Sequence, residues 1–267
     1  MSLAINSHRL QSLIQEPFIE SSSRELRRQE GVVFIGASLP VLETLETMYE
    51  SHCQNPSTLF YITFGNKTEW RNNLELVRQI KKNFSVRMVG RIDFELLEAH
   101  YEQVYLAGLD NVDIPMQVCS DTLTRIGSDR LSCFMNAGAT FPRWALISSL
   151  HISDDDIHKE LRGTIDMLLG RGIIPLLTIS RNIGEDLRNE VTSHFGYLAD
   201  AWQRYDVPIK PLLPLVQLMS PLESGETRGI IRGVIDRIHD RRILATSDLR
   251  RHLRTKEAEA SFESAGL

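Results

Sequence analysis

Cysteine is scarce in this chain. Cys53, Cys119 and Cys133 are its three cysteines, each standing alone, so no C-x-x-C or other close pair exists. That spacing gives no support to a zinc or iron–sulfur motif and none to a disulfide framework; buried or semi-buried free thiols are the reading that remains. A charge excess is missing too. Lys and Arg number 30 against 35 Asp and Glu, for a net charge of −5, which lacks the basic imbalance of a nucleic-acid binder. No apolar run approaches the ~18 residues that a membrane span needs. The first residues, "MSLAINSHRLQSLIQEPF", lack the continuous apolar core of a signal peptide, so the expectation is a cytoplasmic protein. No G-x-G-x-x-G follows any apolar run, and internal repeats and low-complexity segments are absent.

What is present is alternation. Short β-rich runs predict strands at 32–36, 59–64, 86–90, 112–118, 144–150 and 173–179. Helix-period segments fall between and after them at 40–52, 68–83, 93–107, 120–136, 154–170 and 184–204. Local signals mark several ends: Asp93 and Ser153 as N-caps, Gly108 as a C-cap, and Gly170 or Gly172 closing the fifth helix. Six strand–helix units in succession predict an α/β protein, a partial or closed (β/α)6 barrel. The doubly wound open sheet is the competitor, disfavoured by the missing dinucleotide fingerprint. The expected organisation is an N-terminal arm over 1–30 with Ser21–Ser23 as a joint, the barrel over 31–205, and an extension over 206–267. That extension opens with "VPIKPLLPLVQLMSPLES", read as irregular with one short edge strand. It continues as "ETRGIIRGVIDRIHDRRI" and a last helix capped by Ser247.

Several segments together resemble the radical S-adenosylmethionine (radical SAM) superfamily, closest to its biotin synthase-like branch. "YLAGLDNVDIPMQV" is similar to that family's approach to strand four. "WALISSLHISDDDIHKELRGTIDMLLGRGIIPLLTISR" is similar to its strand five, helix and strand six, which ends on an Arg. "LFYITFGNKTEWRNNLELVRQIKKNFSVRMVGRID" is similar to the unit from strand two to strand three. The likeness covers about residues 31–182 and implies the (β/α)6 barrel of the radical SAM type. It also implies a [4Fe–4S] cluster held by three cysteines in a C-x-x-x-C-x-x-C loop after strand one. Here "GASLPVLETLETMYESHC" occupies that place and only Cys53 is left, so this chain is not expected to carry the cluster. The implied reading is a non-catalytic accessory subunit of a complete radical SAM enzyme, or a homo-oligomer. The alternative is a cluster-independent enzyme or binder of a small polar or anionic ligand, S-adenosylmethionine included. Thirty residues precede the first strand, which argues against a truncation that removed a cysteine-bearing one.

In such barrels ligands sit at the carboxyl ends of the strands. Gly65 and Asn66 occupy the turn where the resemblance places the amino-group contacts of S-adenosylmethionine. Asp113 and Gln117 share a face of strand four. Asp113 predicts a polar interior, or else a pair with Arg87 or Arg91; Gln117 predicts a ligand contact or a loop-bracing hydrogen bond. Arg91 and Arg181 end strands and suit a carboxylate or phosphate, or a salt bridge, for Arg181 to Glu185 or Asp186. Ser149 and His151 stand near the family's Gly and Glu after strand five, and His151 is the candidate general base. The acidic run with His158 reads as a helix N-terminus and predicts no metal site. The arginines from Arg228 to Arg254, interleaved with acids, read as exposed helix faces or as a docking surface for an acidic partner.

Overall fold

The computed structural model describes residues 3–18, 25–36, 39, 44–117, 126–152, 160–179, 187–224, 242 and 244–256; side chains at 117, 126–129 and 160 lie outside this description. The predicted N-caps at Asp93 and Ser247 can be compared with it, whereas Ser153, His158 and Arg181 lie outside the described residues.

The chain enters through β1 (Leu3–Ile5) and α1 (Ser7–Gln15), the helix capped by Asn6, whose side chain accepts from the Arg9 N–H. Next comes a hairpin of β2 (Leu26–Gln29) and β3 (Val32–Ile35), paired antiparallel. Its two-residue turn places Glu30 at φ 47° and Gly31 at φ 86°, the primed geometry whose twist matches the strands. From β3 onward, strand and helix alternate. The order is α2 (Leu45–Gln54), β4 (Leu59–Thr63), α3 (Trp70–Asn83), β5 (Arg87–Arg91), α4 (Glu98–Ala107), β6 (Asn111–Asp113) with β7 (Met116–Gln117), and α5 (Ile126–Gly138). Then follow β8 (Leu146–Ile152), α6 (Glu160–Gly170), β9 (Ile173–Ile179) and α7 (Arg188–Arg204).

Strands β3, β4, β5, β6 and β7 together, β8 and β9 are parallel and lie in chain order. β6 and β7 both pair with β8 and are two pieces of one strand interrupted at Ile114–Pro115, as a proline without an N–H requires. The sheet thus has seven strands, curled into a half-barrel. Unbroken order with right-handed crossovers puts the crossover helices α2 to α6 on one side, because such a helix changes face only where the strand order reverses.

The two faces differ in chemistry. Phe60 points at the helices, where it meets Phe84 (5.1 Å between ring centroids) and His52 of α2 (6.2 Å). With it on that side alternate Val33, Ile35, Ile62, Met88, Val112, Leu146 and Leu150, all buried. α3 answers with Trp70, Leu74, Val77 and Ile80 along one stripe. By the same alternation and register the concave face carries the buried apolar Val32, Leu59, Val89, Ile147, Ile174 and Leu176, and among them Phe34, Tyr61, Thr63, Arg91, Asn111, Asp113, Ser149, His151 and Thr178.

Three local expectations need correction. Asp93 does not open α4: the helix begins at Glu98, because Ile92 still donates to the Asp113 carbonyl and Leu96 is buried, which holds the segment between them off the helical path. Ser247 does not cap the last helix, α9 (residues 244–256), but lies inside it. The proline-rich stretch is not irregular. Pro211 sits in a 3-10 turn (Lys210–Leu212), Pro214 in the first turn of α8 (Leu213–Met219), positions where a missing N–H costs nothing. Its end does form an edge strand, β10 (Leu222–Ser224), which pairs antiparallel with β1. Gly108, by contrast, closes α4 at φ 122°, and α6 ends at Gly170.

The last helix is clamped to the amino-terminal end of the sheet. Arg251 donates to Asp110 Oδ1 (2.7 Å), the Leu109 carbonyl (2.7 Å) and Asp248 Oδ1 (2.6 Å), and lies over the Tyr105 ring. Arg251 is therefore buried and engaged internally rather than displayed to a partner.

Candidate functional site

The polar residues of the concave face gather at the carboxyl ends of the strands. Asp113 closes β6 with no exposure to solvent. An ionised carboxylate so placed needs several donors, and three converge on it. Tyr61, reaching over β5 from β4, donates its hydroxyl to Asp113 Oδ2 at 2.6 Å. Ser149 of β8 donates its hydroxyl to the same oxygen at 2.6 Å and its N–H to Oδ1 at 2.9 Å. Three strands are thereby tied across their inner surface. Arg91, buried at the end of β5, is in register with Asp113 on one side and Thr63 on the other.

The Tyr61 phenol is held well above its ordinary pKa, first by burial and then by the Asp113 charge, with Arg91 pulling the other way. It is a neutral donor at any physiological pH. One residue pair further toward the mouth, His151 Nδ1 lies 2.7 Å from Thr178 Oγ1, which also donates to the Leu150 carbonyl at 3.3 Å.

Of the residues singled out in the sequence, Arg91, Asp113 and Ser149 come together, and His151 stands beside them. Of the two arginines weighed as partners for Asp113, Arg91 is in register with it and Arg87 reaches Asn111 Oδ1 (3.0 Å), while Tyr61 and Ser149 donate to the carboxylate. Gln117 is in register with His151 across β7 and β8, its side chain outside the described residues. Gly65 and Asn66 follow β4, but the exposed Asn66 turns its oxygen on the backbone N–H groups of Thr68 (2.9 Å) and Glu69 (3.1 Å), shaping the turn into α3. Arg181 lies outside the described residues. Tyr61, Thr63 and Thr178 went unnoticed in the sequence. The signal was available for the first two, since Tyr61 and Thr63 alternate on one face of an otherwise apolar strand.

A [4Fe–4S] cluster does not fit the residues present. The segment after β3 contains no cysteine before Cys53. Cys53 is exposed in the last turn of α2, the end away from the mouth, and Cys133 is buried within α5. Cys119 lies outside the described residues, and among those described no group of three His, Cys, Asp or Glu residues could hold a metal ion. Nor is any helix among them long and apolar enough to cross a membrane. No protein-family model matches this chain, and no curated protein matches it either.

Proposed function

We propose that this chain is a half-barrel of the radical SAM type without a cluster of its own, binding a small polar or anionic ligand at the carboxyl ends of its strands. One observation carries the reading. Among its apolar residues the concave face buries Arg91, Asp113, Ser149 and Thr178, two of them ionisable, whereas on the opposite face of the same strands the buried polar residue is Ser148. A barrel interior with a purely structural duty is filled by branched aliphatic side chains. Here Thr63 Oγ1, in register with Arg91, is buried with no hydrogen-bond partner among the described residues, a donor left for something else to meet.

In this reading Arg91 grips the anionic end of the ligand, Thr63 and Ser149 orient it, and the Asp113 network keeps them in place. His151 offers a base at the rim. A thermal-shift series with S-adenosylmethionine, adenosine and small dicarboxylates tests it, since a ligand of the folded state raises the apparent stability. A saturable rise that Arg91→Gln and Thr63→Val each reduce is expected. No rise with any member of the series would defeat the proposal.

A second reading, the accessory subunit of a complete radical SAM enzyme, is favoured by the six parallel strands in unbroken order together with a sequence that has no C-x-x-x-C-x-x-C. Anaerobic reconstitution with iron and sulfide is its test. A bound cluster, or 5′-deoxyadenosine formed with a reductant, would overturn it.

A further inference from the structure

Beside the sheet, α1 and α8 meet β2, where Arg27 lies over Phe34, one ring removed from Tyr61 of the concave face (5.6 Å between ring centroids). α8 packs on β9, and Arg9 of α1 donates to the Leu218 carbonyl at 3.1 Å. Between α1, β2 and Leu218 lies a half-open cleft of about 690 Å³, within the range of small-molecule sites. We propose that this cleft binds a small organic anion with an apolar body, its carboxylate or phosphate head held by Arg9 and Arg27. The proposal is independent of the strand-mouth site.

Arg27 is fixed before any ligand arrives. Its guanidinium lies 4.8 Å from the Phe34 ring centre and 5.6 Å from that of Phe18, with Glu25 at 3.4 Å from its Nε. Arg9 is anchored through one terminal nitrogen to Leu218, and its Nε is buried with no hydrogen-bond partner among the described residues. The two side chains are 26% and 29% exposed, so neither charge is fully hydrated. Leu13, Ile14, Phe18 and Leu218 supply apolar walls.

Acidic groups set the orientation. Glu30 stands 3.9 Å from Arg9, too far to satisfy it, and Glu16 lines the rim at the carbonyl end of α1, where it is exposed. Arg9 is in the first turn of α1 and Glu16 just past its last, about 10 Å along the axis. Arg9 and Arg27 therefore place the anionic head between the first turn of α1 and β2, at the end away from Glu16, and the apolar body runs along Leu13, Ile14 and Leu218. A guanidinium fork suits either head group.

Isothermal titration of the full chain with hexanoate, hexyl phosphate and neutral hexanamide tests the proposal. Saturable binding of one or both anions, about tenfold or more tighter than hexanamide, is expected, because hydrogen bonds to charged groups are the stronger class. Comparing hexanoate with hexyl phosphate identifies the preferred head. Arg9→Gln should weaken the anion about tenfold. Ile14→Trp, which fills the cleft and leaves both arginines, should abolish binding with the fold intact by circular dichroism, while the exposed Arg71→Gln should change nothing. Hexanamide binding as tightly as the anions, wild-type affinity in Ile14→Trp, or no saturable heat from any of the three overturns the proposal.

Discussion

Tyr61→Phe removes one oxygen from the centre of the concave face and leaves the ring in place, so it opens no cavity beyond the hydroxyl. What it takes away is one of the three hydrogen bonds that Asp113 accepts, the one at 2.6 Å. A hydrogen bond to a charged group contributes about 1.5–3 kcal/mol, and a buried carboxylate left short of donors adds its own desolvation cost. Ser149 still supplies two donors, at 2.6 and 2.9 Å, and Arg91 lies close, so the loss belongs near the lower part of that range, about 2 kcal/mol. For a chain of this size that lowers the melting temperature by about 4–8 °C. Urea denaturation followed by far-UV circular dichroism measures it, with the slope unchanged because the surface exposed on unfolding is the same. Combined with Ser149→Ala, the double-mutant cycle should show a coupling of about 1 kcal/mol, since both hydroxyls serve one oxygen. A loss below about 0.5 kcal/mol, the level of an ordinary surface substitution, would mean that Asp113 is hydrated and that the three strands are not joined through it.

Arg251→Met takes from Asp110, which is almost fully buried, its bonded cation and leaves it the Met88 N–H (2.9 Å) with Lys81 Nζ at 3.8 Å as the nearest cation among the described residues; a loss of about 3 kcal/mol is expected, with hydrogen exchange showing residues 244–256 opening ahead of the sheet. Gly90→Ala places a Cβ 2.3 Å from Leu109 Cδ1 and 3.3 Å from Phe64, and should cost about 1–3 kcal/mol by overpacking, read from the urea midpoint. His52 accepts the Ser57 N–H on Nδ1 and has its pKa lowered, first by burial and then by Arg28. The unfolded chain then binds the proton more readily, so this contribution is present above about pH 6.5 and is lost as pH falls through the folded value. The urea midpoint should drop between about pH 7 and 5, and His52→Gln should flatten that slope; an unchanged slope would remove His52 as the cause.

The strands were legible because each is a short buried run between polar helices, and burial of both faces leaves a continuous apolar stretch in the sequence. Ile173–Ile179 is the plainest example, buried at every position. Their order was legible too, since regular alternation admits few topologies. What could not be read was contact across the sheet. Tyr61 and Asp113 are 52 residues apart, and their meeting depends on a register that no local pattern carries. Asn66 misled for the opposite reason: its partners are two and three residues away, a turn-forming habit of asparagine that a family likeness hid. Ser247 misled because a serine before a run of charged residues resembles a cap, whereas here its hydroxyl lies near Asp110, 137 positions earlier.

A half-barrel leaves two problems that a closed barrel avoids: two edge strands and an open inner face. This chain answers the first with its ends. β2 shields β3 by doubling back on it, and α8 packs against β9, so the segments before and after the strand–helix units serve the same sheet. The ladder between Leu3–Ile5 and Leu222–Ser224 then ties those two segments to each other. The second problem is left partly open. Were the inner face there only to be filled, Leu and Ile at Tyr61, Arg91, Asp113 and Ser149 would do it at lower cost, since each polar group buried there needs a partner to offset its desolvation. Asp113 has its partners within the sheet, but Thr63 Oγ1 has none among the described residues. An arrangement that satisfies the carboxylate and leaves a neighbouring hydroxyl over is organised for a guest. Thr63→Val should therefore stabilise the ligand-free protein or leave it unchanged, because a buried unpartnered hydroxyl is replaced by a methyl of the same shape. The same variant should lose the thermal shift given by the ligand. Destabilisation by more than about 1 kcal/mol would show that the hydroxyl already has a structural partner, and would take from the mouth the donor on which its binding role depends.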